Sequence, residues 1–105
     1  AKAYYDGVPP QKVTHLAIDS TVASKNVTDS VDVYLSWDSS SDNISGVKGY
    51  YIRRTDSLVA VVPSTFDNRI HFTDEKVPVD NILDQYWQVF PFDAAGNIQN
   101  ESDTV

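Results

Sequence analysis

The chain has 105 residues, 8 basic against 15 acidic, a formal charge of −7, 41% hydrophobic residues and 11% aromatic residues. That length supports one small core and leaves no room for a second domain, so a two-domain enzyme is excluded. The acidic balance repels phosphate backbones, which makes nucleic acid and anionic membranes poor partners. No apolar run reaches the roughly 18 residues of a membrane span, and the amino terminus has no basic-then-apolar signal pattern. Zero Cys removes disulfides, thiol catalysis and thiolate metal sites together. With no Met and a start at Ala1-Lys2-Ala3, the expectation is a fragment of a longer protein.

Residues 1–9, with Tyr4-Tyr5 and the start of the Pro9-Pro10 pair, read as a linker, because proline favours extended backbone. Residues 10–105 read as one domain. Val13, Leu16 and Ile18 predict a first strand with a bend, since their spacing is not strictly alternating. In the second, Val31, Val33, Leu35 and Trp37 alternate with Asp32, Tyr34 and Ser36, which places four large apolar groups on one face. Asp38 to Gly46 is rich in Ser, Asp and Asn, side chains that cap their own backbone in a surface loop. A third strand near Gly49 to Arg54 separates Tyr50 and Ile52 from Tyr51 and Arg53. Leu58 to Val62 and Arg69 to Thr73 supply two more strands, with a Pro63-Ser64 break between them. Tyr86 to Phe92 is the sixth, Asp93 to Asn97 a tight turn, and Ile98 to Val105 a short seventh. Seven strands at this spacing, with no helical period of comparable length, predict an all-β, seven-stranded antiparallel sandwich.

From here the chain resembles the fibronectin type III (immunoglobulin-like) module in the form common in secreted bacterial proteins. The likeness is carried by Pro10 with Val13 and Leu16, by Leu35-Ser36-Trp37 followed by Ser41-Asp42-Asn43 and Gly46-Val47, by Gly49 to Arg54, by Phe72-Thr73-Asp74, and by Asp93-Ala94-Ala95-Gly96-Asn97. It covers roughly residues 10–105. Two departures stand out. The corner tyrosine of the family falls on Gln85, with Tyr86 one place off, so either the corner is rebuilt or the register shifts. Pro91 stands where the family commonly has Ala, and predicts a nearby bulge because proline removes a ladder hydrogen bond.

His15 and His71 sit in no spacing that assembles a triad or a metal cage, and surface or edge positions are expected for both. The many carboxylates could in principle supply a glycosidase pair, but a sandwich this small lacks a deep cleft, and solvated charge explains them. The isolated module is therefore read as non-catalytic, with no cofactor. Asp38, Asp42 and Asn43 should share one end of the sandwich with Asp93 and Asn97, where calcium is conceivable; turn capping explains the same residues, so no metal is assigned. Asn26-Val27-Thr28, Asn43-Ile44-Ser45 and Asn100-Glu101-Ser102 match the glycosylation pattern, which is coincidental in a bacterial module.

Strand parity singles out one surface. If Trp87, Val89 and Pro91 face the core with Trp37, then Tyr86, Phe90 and Phe92 face outward on the sheet that presents Tyr51 and Arg53. A shifted register would instead put those Phe residues in the core. An exposed aromatic face can stack on sugars or on a neighbouring domain. The core should centre on Trp37, Leu35, Tyr50, Ile52, Trp87 and Val89. The resemblance implies an extracellular or cell-surface spacer and interaction module, monomeric in isolation, that positions neighbouring domains of a larger bacterial protein, with a glycoside hydrolase as the leading parent. The alternative is a module that binds carbohydrate, or a protein in adhesion, through the aromatic face. Neither nucleic acid nor membrane insertion is expected.

Overall fold

The computed structural model describes residues 8–26, 28–41, 46–80 and 82–105. Among them are six strands: β1 (Thr14–Ala23), β2 (Ser30–Asp38), β3 (Val47–Arg54), β4 (Ser57–Pro63), β5 (Arg69–Pro78) and β6 (Trp87–Asp93), with one helical turn at Ile82–Asp84. They form two three-stranded antiparallel sheets, ordered β1-β2-β5 and β4-β3-β6. The arrangement is all-β and sandwich-like, because one apolar cluster draws on both sheets.

Side-chain alternation builds that cluster. Val33, Leu35 and Trp37 of β2 face Tyr50 and Ile52 of β3 and Trp87 and Val89 of β6, and all seven are buried. The Trp37 and Tyr50 rings meet edge-on across the core with centroids 5.5 Å apart. All six residues expected at its centre are therefore inside. Val13, Leu16, Ile70 and Val77 complete it. Val77 lies beyond the expected end of β5, which continues from Thr73 to Pro78 by pairing with the start of β2.

The bend expected in the first strand is two register shifts against β2, between Thr14 and Ala17 and between Ile18 and Ser20. They turn Ile18 outward while Leu16 stays in the core. The β3–β4 hairpin turns at Thr55-Asp56, with Thr55 at a φ of 56°.

The expected seventh strand is not formed: six are found. Ile98 to Val105 nevertheless runs beside β6. Phe92 and Ile98 form an isolated bridge, the Gln99 N–H donates to the Pro91 carbonyl at 2.9 Å, and Trp87 and Val105 exchange two backbone hydrogen bonds. Between them the Ser102 hydroxyl, rather than a carbonyl, accepts the Val89 N–H at 2.8 Å. A side-chain acceptor breaks the ladder and explains why no regular strand results.

The irregularity expected near Pro91 lies one pair along, opposite Phe92 and Asp93, with the extra residue, Lys48, on β3. Pro91 itself pairs in register with Tyr50. In an antiparallel strand a residue's N–H and C=O point the same way. The Pro91 carbonyl faces Gln99, so its missing N–H also faces the irregular segment and costs the β3 ladder nothing.

The corner before β6 shows no tyrosine-to-backbone bond among the described residues. The Thr55 hydroxyl donates to the Gln85 side-chain oxygen at 2.6 Å, and the Thr55 N–H donates to the Tyr86 carbonyl at 2.7 Å. The Tyr86 hydroxyl reaches the Asp56 carboxylate at 3.4 Å. The two sheets are tied beside this corner. Arg54 of β3 and the Trp87 indole N–H both donate to one oxygen of Asp74 on β5, at 2.8 and 2.9 Å.

Candidate functional site

The outer face of the β4-β3-β6 sheet is built from cross-strand rows. Tyr51 lies opposite Val61 of β4 on one side and Phe90 of β6 on the other, and Gly49 lies opposite Pro63 and Phe92. Directly opposed residues share a face, so these rows lay an apolar strip across all three strands. Burial along β6 alternates strictly, with Trp87, Val89, Pro91 and Asp93 inside and Gln88, Phe90 and Phe92 half-exposed.

Gly49 decides how the aromatic groups sit. A Cβ at this position would come within 2.9 Å of the Phe92 ring and 2.8 Å of the Val62 carbonyl oxygen. Its absence lets the Phe92 ring lie over β3 and stack on Tyr51, with centroids 4.4 Å apart and an interplanar angle of 28°. Beside this pair is a groove of about 440 Å³ whose floor and walls include Tyr51, Arg53, Leu58 and Phe90. Its far wall is Ile98, Gln99 and Asn100 of the segment alongside β6. The Gln99 amide also donates to the Pro10 carbonyl at 3.0 Å, which holds that wall to the entry of the domain.

Of the five residues expected on an interaction face, Tyr51, Arg53 and Phe90 line the groove and Phe92 buttresses it through the stack. Tyr86 does not join them; it sits at the corner against Asp56. Leu58 and the Ile98 to Asn100 wall went unread in the sequence. Leu58 belongs to a continuous apolar run that has no parity to follow, and the wall depends on where an irregular segment docks.

Among the described residues, Arg53 is the one charged group that lines the groove. Its guanidinium donates to the Asp56 carbonyl at 2.9 Å. Arg54 is paired with Asp74 and Arg69 with Asp38, whereas Arg53 has no carboxylate partner among the described residues. The lining offers apolar contact, one cation and amide groups; among the described residues it contains no carboxylate, imidazole or thiol.

The other polar groups brought together elsewhere have structural partners. His15 is exposed, and its Nδ1 meets the Asp38 carboxylate at 2.6 Å; Arg69 donates to the other oxygen of Asp38 at 2.9 Å and to the Ser36 hydroxyl at 2.8 Å. The hydrogen bond from Arg69, and then that from His15, hold the Asp38 carboxyl below the usual carboxylate range. His71 is exposed on β5. Asp93 is buried, and its carboxylate accepts the backbone N–H groups of Ala95 and Asn97 at 3.0 and 2.8 Å and the Asn97 side-chain amide at 3.1 Å. That is turn capping. Asp42 and Asn43, the other oxygen donors considered for calcium, lie outside the described residues, as do Tyr4 and Tyr5. No group of three or more potential metal-ligating His, Cys, Asp or Glu occurs among the described residues.

Searches against protein-family models, curated proteins and solved structures returned no match to this chain.

Proposed function

We propose that the chain is a non-catalytic interaction and spacing module of the fibronectin type III kind, part of a larger extracellular or cell-surface bacterial protein, and that the outer face of the β4-β3-β6 sheet seats a neighbouring domain. The observation that carries this reading is the groove: apolar side chains from three strands and a docked segment converge on an open surface. Exposed apolar patches of this kind mark contact surfaces. The strand order supports the family reading, since two antiparallel sheets exchange strands as they do in such sandwiches, with the final segment beside β6 in the place of a seventh strand. A glycoside hydrolase as parent rests on the resemblance alone. The mechanism is mechanical, in that a stiff sandwich sets the spacing and orientation of the domains at its ends and so raises their effective concentration on a shared target.

The test compares amide NMR shifts of this module alone and within a longer parent chain that includes its neighbours. Shifts confined to Tyr51, Arg53, Leu58 and Phe90 support the reading. An unchanged face in the longer chain overturns it. Saturable shifts of the same residues with millimolar soluble glycans would replace it with carbohydrate binding.

A further inference from the structure

We propose that the groove binds an apolar segment of the neighbouring domain through a carboxylate on that segment, which pairs with Arg53. The proposal rests on the outer face being a contact surface and adds the chemistry of what is contacted. The chain has three arginines and an excess of acid, 15 acidic residues against 8 basic. Arg54 and Arg69 each hold a carboxylate at 2.8 and 2.9 Å. Arg53, the one that lines the groove, holds a backbone carbonyl. A guanidinium has five N–H donors in a planar fork that suits a carboxylate, so most of its capacity is unused here.

Its neighbours set the rest of the partner's chemistry. Leu58, Phe90 and Ile98 provide aliphatic and aromatic surface around the exposed cation, and a segment that covers them takes the charge pair partly out of water, which strengthens it. One face of Tyr51 is already stacked on Phe92, so the ring offers less platform for a sugar than its exposure suggests. A polyanion would meet a single cation on a chain of charge −7. One carboxylate flanked by apolar side chains satisfies both the cation and the walls.

The experiment titrates the whole chain with the blocked peptide acetyl-Leu-Phe-Asp-Leu-amide and with its Asp-to-Asn counterpart, following amide shifts. The result expected is saturable shifts at Tyr51, Phe90 and Ile98 with the Asp peptide. Replacing that Asp by Asn, or making Arg53→Gln, should weaken binding about tenfold, the difference between a charge-assisted and a neutral hydrogen bond. Arg53→Lys, which keeps the charge and loses the fork, should fall between the two. Equal affinities for both peptides, or no shifts at millimolar peptide, overturn the proposal, as do groove shifts that appear with cello-oligosaccharides and not with peptide. If peptides fail while the face is covered in the longer parent chain, only the carboxylate falls and the contact surface stands; if the face is open there as well, both fall.

Discussion

Asp74 is the most consequential polar residue of the interior. Its side chain is 8% exposed, and it accepts hydrogen bonds from Arg54 and the Trp87 indole at the level where the two sheets are tied. Removing one partner of a buried charge pair leaves the other unpaired, which costs far more than the net worth of the pair. Asp74→Ala should lower stability by about 3 kcal/mol, read as a lower urea midpoint with an unchanged slope. Gly49 is the matching case on the outer face, because close approach rather than backbone freedom requires it. Gly49→Ala drives a Cβ against the Val62 carbonyl and the Phe92 ring, and should cost about 1–3 kcal/mol as overpacking does. It should also displace Phe92 from Tyr51, visible as changed ring-current shifts of both side chains.

At the scale of elements, the segment from Ile98 to Val105 does a strand's work without a strand's regularity. Its bonds to Trp87, Val89 and Pro91 close the edge of β6, which would otherwise expose a ladder, and the same segment walls the groove. Ser102 is its weak point, since its hydroxyl is the acceptor for the Val89 N–H. Ser102→Ala leaves that donor unsatisfied and should cost about 1–2 kcal/mol, with faster hydrogen exchange at the Val89 amide than at neighbouring β6 amides. β4, at the other edge, carries no charged residue from Ser57 to Pro63; its register shift against β3 and its terminal proline are the usual protections of such an edge. Leu58 and Val61 remain exposed there, on the same side as the strip across Tyr51 and Phe90.

For the molecule as a whole, two carboxylates that link separate elements contribute acid sensitivity. Asp32 of β2 accepts the Lys76 backbone N–H from β5 and the Ser24 hydroxyl, and these bonds, the first being the larger, hold it below its ordinary value. Asp38 is lowered by Arg69 and then by His15. For a carboxylate depressed in the folded state, the unfolded chain binds more protons near the ordinary pKa of about 3.9. The stability these groups contribute is present above that value and lost as pH falls through the lower folded values. The melting temperature should therefore fall on acidification from about pH 5 to pH 2, and fall less steeply in the Asp32→Asn, Asp38→Asn double variant. Lys12 works in the opposite sense at alkaline pH: its hydrogen bond to Asp103 raises its pKa, so its contribution is lost as pH rises through the folded value.

How much of this was legible in the residues follows from whether a signal is local. The alternation of Val33, Leu35 and Trp37 and of Trp87 and Val89 is a property of consecutive residues, so the chain alone determined β2 and β6 and which of their sides faces the core. The same parity brought Tyr51, Arg53, Phe90 and Phe92 onto one outer face. Tyr86 escaped that rule because it precedes the strand, at a corner whose geometry is set by Thr55 and Gln85, 30 residues apart in sequence. Only the tertiary structure decided that Pro91 turns its missing N–H away from β3, that Ser102 stands in for a carbonyl, and that Ile98 and Leu58 meet across the groove. Each of these depends on pairings between residues far apart in sequence, where register and docking are settled by the packing of the whole rather than by any local pattern.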